Sequence, residues 1–384
     1  MLKKYRVRDY DFKLIIMLIA ITVVGILVIG SADRSYQSKQ ILGFVMGLFL
    51  MVVISLFDYS TFLNFYWIIY IGNLVLLLLV EFFGEKSNNA QRWVSIAGIR
   101  FQPSETAKIL LILFYAQYIM KHKETISSLK TIISMLVLLS PPLLLIYRQP
   151  DLSTTIMIAL LFCVLLFMGG LSYKIIFGVL AIAVPLFVIF LTLVLQPDQT
   201  LLKDYQQTRI LAWLNPDEYS TSEGYQQENS KMAIGSGELF GKGLNNNEIS
   251  SVKNGNFISE PQTDFIFAIV GEELGFAGGC LVVGLLFLIT LECLMIARKA
   301  KDIAGMLIAT GMATVIGFQS FMNIGVATGI VPNTGIPLPF VSYGLTSLIS
   351  LYIGMGMVLN VGLQSSAYNK EIRRKAIDQK EDYL

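Results

Sequence analysis

Ten runs of apolar residues, most of them close to 20 long, leave this chain little choice of fold. They are Leu14–Gly30, Ile41–Phe57, Phe65–Phe83, Glu105–Met120, Thr131–Tyr147, Thr154–Met168, Ile175–Leu195, Phe265–Ala297, Ile303–Ile330 and Phe340–Val361. A helix needs about 20 apolar residues to cross the hydrocarbon of a bilayer. The fourth and sixth runs are short, and the eighth and ninth are long enough to tilt or break. Lipid supplies no water to unpaired backbone groups, so runs this long and continuous predict helices rather than open strands. Composition agrees. The chain is 54% hydrophobic and 15% charged, against about 25% charged in an ordinary soluble domain. That is too little polar side chain to coat a water-facing surface. The predicted fold is therefore an all-α integral membrane protein, a single polytopic unit over 1–384 with ten transmembrane helices.

Lys and Arg set the orientation, because loops on the cytoplasmic side collect them. With the N-terminus in the cytoplasm, that side holds Lys3, Lys4, Arg6, Arg8 and Lys13, then Lys121, Lys123, Lys130 and Lys174, then Arg298, Lys299 and Lys301. The tail, about 364–384, adds Lys370, Arg373, Arg374, Lys375 and Lys380. Both termini are expected inside. The leader and first run lack a small-residue cleavage site and are followed by more apolar runs, so they read as a first span and not a removed signal peptide. A long extracellular loop, about 196–263, then separates helices 7 and 8. Loops of that length are functional or partly folded, and its apolar pieces around 210–216 and 232–244 predict short helices lying on the spans. A second outer loop, 84–104, carries Arg92, Trp93 and Arg100, and Ser104 is placed to cap the helix after it.

Two chemistries recede at once. The cysteines Cys163, Cys280 and Cys293 all lie in apolar runs, which argues for packing and against a disulfide scaffold. The one histidine, His122, sits among lysines, a poor setting for a metal site or a histidine base. No nucleic-acid partner is expected.

Four groups of polar residues face the outer side. Arg92 and Trp93 read as ligand contacts or as interfacial anchors. Glu105 and Lys108, three apart on a helix, can pair with each other, and Lys108 could equally meet an anion. Asp151, after Gln149-Pro150, opens the sixth run as an N-cap or a ligand contact. Arg209 and the Gly235–Gly243 stretch, with Lys242, come next. Gly241-Lys242 does not make a phosphate loop: Ser236 stands where that motif needs glycine, and Gly243 where it needs Ser or Thr. The glycines still permit a ligand to approach the backbone closely.

The fourth group centres on Asp264, at the border between loop and apolar run. In the first turn of a helix starting near Thr263, the dipole would favour its ionised form. Such a carboxylate can take a proton from a hydroxyl, and a first-turn acid that merely stabilises a helix explains the position equally well. Glu272 and Glu273 follow roughly 12–14 Å deeper at 1.5 Å per residue, suited to buried pairing or a proton path. The proline- and glycine-rich stretch 323–347 predicts a re-entrant turn or broken helix on the same face, allowed only where it is buried in protein or beside water.

The strings RWVSIAGIRFQPSETAK, QPDLSTT, GYQQENSKMAIGSGELFGKGL, QTDFIFAIVGEELGF and NIGVATGIVPNTGIPLPFVSYG together resemble the SEDS family, the shape, elongation, division and sporulation proteins. Within it the chain looks most like the rod-shape elongation member. Three positions depart from the family's usual pattern: Gln262 replaces a histidine, and Glu238 and Leu345 each replace a glycine.

The resemblance implies a peptidoglycan glycosyltransferase that polymerises lipid II into glycan strands at the outer face of the bacterial cytoplasmic membrane. It implies that the acid of the TDFIF string, here Asp264, is catalytic. Partners it implies are lipid II, the nascent glycan strand, a class B penicillin-binding protein and other elongation-complex membrane proteins. Pyrophosphate is already a good leaving group and needs charge stabilisation more than a proton. On this reading Asp264 is the base, and Arg92, Lys108, Arg209 and Lys242 are candidates for the phosphates, with Trp93, Glu105 and Asp151 also near substrate. No cofactor is required, though a divalent ion such as Mg or Mn would assist. Two other readings fit the intramembrane charges: a flippase or proton-coupled carrier of lipid-linked precursors, and a non-catalytic scaffold for a crosslinking enzyme.

Overall fold

The computed structural model describes residues 7–87, 90–96, 99–194, 196, 204–215, 218–219, 224–245, 251 and 257–381. The leader lysines Lys3 and Lys4, with Arg6, lie outside the described residues, as does part of the 196–263 loop. The chain begins with α1 (Phe12–Ala32), α2 (Arg34–Leu56), a short α3 (Tyr59–Leu63) and α4 (Tyr66–Phe83). Strands β1 (Glu85–Ser87), β2 (Ala90–Ile96) and β3 (Ile99–Phe101) follow. Then come α5 (Pro103–Lys121), α6 (Leu129–Arg148), α7 (Leu152–Met168) and α8 (Tyr173–Val194). The long loop contributes α9 (Asp204–Leu214) and α10 (Tyr225–Ser236), and the chain closes with α11 (Ile266–Arg298), α12 (Ile303–Ala327) and α13 (Leu345–Glu381).

Each of the ten apolar runs is wholly or mostly helical. Among the described residues, eight helices are long and apolar enough to cross a membrane: α1, α2, α4, α6, α8, α11, α12, and α13 over Leu345–Ser366. α7 is shorter, at 17 residues, and α5 carries Glu105, Lys108 and Lys121. The apolar stretch of α8 buries nothing against the rest of the protein. A helix apolar on every side must be covered by protein or by lipid, so α8 alone marks a chain whose solvent is a bilayer. All three cysteines are free; Cys293 is buried in the core as a packing residue should be, whereas Cys163 and Cys280 are exposed on the outside of the bundle.

Among the described residues, the fold departs from the expected all-α architecture at one place. The 84–104 segment forms a three-stranded antiparallel sheet in the order β1-β2-β3, with Glu85 opposite Trp93 and Val94 opposite Phe101. Strands this short carry too few side chains to display a period of two. Nor does Ser104 cap α5. Gln102 is the cap residue and makes no side-chain cap bond. Pro103 occupies the first helical position, where its missing N–H is no loss, and Ser104 is carried inside the helix.

The second departure shapes the whole molecule. α11 breaks at Gly275, whose φ of 66° and ψ of −164° are not helical. Phe276–Arg298 rises about 34 Å at 1.5 Å per residue, enough to cross a bilayer unaided. The half before the break, Ile266–Leu274, rises about 13 Å and lies across the end of the bundle. At one end of it the Asn323 amide, near the end of α12, donates to the Asp264 carbonyl at 2.8 Å. At the other the Ser31 hydroxyl, next to last in α1, donates to Glu273 Oε1 at 2.6 Å. Glu272 and Glu273 therefore lie level with the helix ends and not 12–14 Å down a straight span.

A broken helix in lipid must find partners for its freed backbone groups. The loop after α10 supplies them. The Lys242 N–H donates to the Glu272 carbonyl and the Gly243 N–H to the Glu273 carbonyl, both at 3.0 Å. In return the Phe276 N–H donates to the Glu238 carbonyl at 2.8 Å and the Ala277 N–H to the Leu239 carbonyl at 3.0 Å. Gly241 permits that contact: a Cβ on it, already at a φ of 79°, would stand 2.2 Å from the Glu273 carbonyl oxygen. α9 and α10 take up carbonyls at and beyond the end of α12, through Trp213 to Gly329 at 3.1 Å, Gln227 to Val326 at 2.8 Å and Ser230 to Ala327 at 2.8 Å.

At the opposite end of the bundle, Gln364 of α13 donates to Asp58 Oδ1 at 2.6 Å and Asn360 donates to the Ser55 carbonyl at 2.7 Å. Lys301 caps this cluster 4.8 Å above the Tyr59 ring.

Substituting Gly241→Ala should separate loop from helix. A side chain at positive φ is strained by about 1–3 kcal/mol, and the clash with the Glu273 carbonyl adds to that. A thermal melt of the detergent-purified variant is expected to show a clear loss of stability. Gly243→Ala, where a Cβ meets open space, should lose only the strain.

Candidate active site

Asp264 ends a turn that leads into α11. The helix begins at Ile266 with Phe265 as its cap residue, so Asp264 precedes the cap and is not in the first turn as expected. The consequence is electrostatic. Among the described residues no donor bonds to its carboxylate, which is half-buried, and its pKa is pushed up to about 6, from 3.8. Loss of water is the largest cause. The positive charge of Arg209 opposes it, Glu260 reinforces it, Arg92 opposes it and Asp151 reinforces it. The expected dipole stabilisation of the ionised form loses to desolvation, because charge–dipole help fades outside the first turn.

The backbone around Asp264 is fastened by the irregular segment that follows α12. Asn323 donates its amide to both the Asp264 and the Ile336 carbonyls at 2.8 Å. Ser342 donates to the Thr263 carbonyl at 2.6 Å, and the Tyr343 N–H to the Gln262 carbonyl at 2.9 Å. Gly335 brings bare backbone against the carboxyl: a Cβ there would sit 3.2 Å from Asp264 Oδ2. The predicted break over 323–347 is real, but it starts after α12 ends at Ala327.

The other candidates divide into two sets. Arg92, Asp151 and Arg209 are brought to Asp264, as their effect on its carboxyl records. Arg92 leaves β2 to donate from Nε to the Gln149 carbonyl at 3.2 Å, and its guanidinium also donates to the Pro150 carbonyl. Asp151 is the cap of α7 and accepts from the Thr154 N–H at 3.1 Å. Two residues later Ser153 donates to the Thr334 carbonyl at 2.7 Å, which ties the start of α7 to the segment beside Asp264.

Trp93, Glu105, Lys108 and Lys242 belong elsewhere in this conformation. Trp93 follows Arg92 on a strand and so points to the opposite face of the sheet. Lys108 and Glu105 are both buried and close on each other at 2.6 Å, with the Ser347 hydroxyl donating to the second Glu105 oxygen at 2.9 Å. Lys242 Nζ reaches Glu272 Oε1 at 3.1 Å.

Glu260, Ser153 and Asn323 went unnoticed in the sequence. Nothing local marks them: Asn323 stands 59 positions from the carbonyl it holds.

The sequence from residue 10 to residue 367 matches the cell cycle proteins FtsW, RodA and SpoVE. This chain belongs to the FtsW/RodA/SpoVE family. It is 37% identical over 365 residues to the peptidoglycan glycosyltransferase MrdB of Escherichia coli K12, covering 94% of this chain and 96% of that protein. It is 33% identical to a probable peptidoglycan glycosyltransferase FtsW of Geobacter metallireducens, covering 92% and 95%. Among solved structures it superposes on a chain of a peptidoglycan synthase complex in which polymerization and crosslinking are coordinated, with a TM-score of 0.77, 28% identity and 93% and 98% coverage. It also superposes on the rod shape determining protein RodA of Thermus thermophilus, with a TM-score of 0.68, 27% identity and 92% and 96% coverage.

One departure from the family's usual residues acquires a physical reading. Glu238 adopts a φ of 49°, a conformation that favours the glycine usually found there, and its carbonyl holds the restart of α11. Gln262 is buried, and its carbonyl holds Tyr343.

Two outcomes follow for this FtsW/RodA/SpoVE chain. A carboxyl whose pKa is raised from 3.8 to about 6 stabilises the native state only below the lower value, and that contribution is lost as pH rises through the upper one. Asp264→Asn should therefore melt above the wild type at pH 7.5, with the gap closing by about pH 4. In α5, Lys108→Met alone strands a buried carboxylate and should cost about 3–5 kcal/mol, whereas adding Glu105→Gln should restore most of the stability lost, both read by thermal unfolding in detergent.

Proposed function

We propose that this chain is a peptidoglycan glycosyltransferase that polymerises lipid II, with Asp264 as the general base. The observation that carries the role is the Asp264 carboxyl itself: bonded to no donor among the described residues, poised near pH 6 and faced by two arginines. A base works best when its pKa lies near the operating pH. Asp264 removes the proton from the C4 hydroxyl of the acceptor N-acetylglucosamine. That oxygen forms the new bond to C1 of the donor sugar as the bond from C1 to the lipid pyrophosphate breaks, and the pyrophosphate leaves with the electron pair. Arg209 and Arg92 meet the negative charge that develops on it.

Support for placing this chemistry at the outer face comes from the charges. The lysine-rich turns at 121–130 and 298–301 and the start of α1 belong to the end of the bundle opposite Asp264, the end that the Lys and Arg rule assigns to the cytoplasm. We read α5 and α7 as crossing too, which makes ten spans in one unit, 1–384, with both termini inside. Among the described residues no three histidine, cysteine, aspartate or glutamate side chains converge on a metal site.

A class B penicillin-binding protein is the partner that suits this reading, since one solved relative belongs to a complex that also crosslinks. A flippase reading draws on the broken α11, but Glu105, Glu272 and Glu273, which motivated it, are engaged with Lys108, Lys242 and Ser31.

Purified protein incubated with labelled lipid II should yield long glycan strands, and Asp264→Ala should abolish them. The acid limb of the rate profile should fall with an apparent pKa near 6 as the base takes up a proton. Strands made by Asp264→Ala at the wild-type rate would end the base assignment, and vesicle translocation without strands would favour the flippase.

A further inference from the structure

Asp264 is carried by a half-helix that the membrane-crossing half of α11 cannot aim. At Gly275 the backbone leaves helical geometry, so no helical hydrogen-bond ladder passes rigidity from Phe276–Arg298 to Ile266–Leu274. The direction of the first half must come from contacts with the rest of the protein: core packing along its length, Asn323 at its start and, at its far end, three contacts with the 237–245 loop. Two are backbone, to the Glu272 and Glu273 carbonyls. The third is the ion pair between Lys242 Nζ and Glu272 Oε1 at 3.1 Å, with Glu272 buried and the Ser251 hydroxyl on its other oxygen at 3.3 Å. The loop also joins α1, because the Asn245 N–H donates to the Ser31 hydroxyl at 2.8 Å and that hydroxyl donates to Glu273 at 2.6 Å.

We propose that the Lys242–Glu272 pair is a positioning device for the glycosyl transfer: it straps the half-helix Ile266–Leu274 to the extracellular loop and so aims Asp264 at its substrate. This rests on the reading of Asp264 as the base. Lys242 is then a positioning residue and not a phosphate contact. The half-helix is short and stiff, anchored by Lys242 and Ser31 at one end and by Asn323 at the other. Releasing the Lys242 anchor lets the far end of the segment shift, while Ile266, Phe267, Ile269 and Val270 stay packed in the core. A base that must meet a hydroxyl within hydrogen-bond reach is sensitive to displacements of about 1 Å.

The two roles for Lys242 separate in kinetics. A lysine that binds the pyrophosphate would, when lost, weaken substrate binding and raise KM. A lysine that aims the base leaves substrate binding nearly intact and lowers kcat. It also changes the surroundings of Asp264, which are Arg209, Glu260, Arg92 and Asp151, by readmitting water to a carboxyl whose burial is the main cause of its raised pKa. In a labelled lipid II assay, Lys242→Ala is expected to lower kcat by about 10–100-fold with KM changed less than about threefold. The acid limb of its rate profile should move below the wild-type value toward that of an ordinary carboxylate.

Lys242→Arg, which keeps the charge and reach, should restore most of kcat. Glu272→Gln, which keeps the shape and removes the attraction, should reproduce the loss, and it decides the matter if Lys242→Ala proves unstable in a thermal melt. A rise in KM with kcat and the acid limb unchanged would overturn the proposal in favour of phosphate contact. Wild-type kinetics in both variants would overturn it as well. Asp264→Asn, assayed alongside, tests the base separately: activity there would remove the base whatever Lys242 does.

Discussion

Hydrocarbon offers nothing for a backbone N–H or carbonyl to bond, and the structure of this protein follows from the one place where a long apolar helix is broken in spite of that. At Gly275 the freed groups of α11 are answered in pairs by the loop from Glu238 to Gly243. The break turns a helix that would have run straight through the membrane into a crossing half and a half laid over the bundle end. The carboxyl at the start of that second half is thereby held at the border and not deep in the chain of spans. The glycines of the loop permit the approach, because any side chain at Gly241 would meet the Glu273 carbonyl.

Buried charge is handled differently at three levels of the molecule. Glu105 and Lys108 face each other inside the bundle, with Ser347 completing the carboxylate. Glu272 is matched by Lys242 from the loop. Asp264 alone among these acids has charges nearby but no bonded donor among the described residues, and loss of water on burial is the main cause of its raised pKa. An acid left half-buried and unbonded, with cations nearby, suits the base role proposed for it.

The wall around Asp264 comes from four parts of the chain: the sheet through Arg92, the start of α7 through Asp151 and Ser153, α9 through Arg209, and the irregular segment after α12 through Gly335 and Ser342. Each is held to its neighbour by side chains donating to backbone carbonyls. That suits irregular backbone at membrane depth, where carbonyls without helical partners must be satisfied by protein.

Apolar run length alone was enough to read a helical bundle in lipid, because only a helix of about 20 residues both spans hydrocarbon and satisfies its own backbone. The border position of Asp264 and the irregularity near Pro332–Pro339 were equally legible, since both are marked by abrupt changes in residue type along the chain. The strands of 85–101 were not, being too short to show alternation, and Ser104 lost its capping role to a proline one position earlier. Lys242 was legible as a candidate for phosphate, but its pairing with Glu272 was not. Its true neighbour lies 30 positions away, and no spacing rule reaches so far. The sequence by itself determined the solvent, the number of apolar helical runs and which acid stands at the edge, because these depend on local composition. Only the tertiary structure decided where α11 turns, which charges pair and which acid is left to titrate near neutrality, because those depend on distances between segments that folding alone brings together.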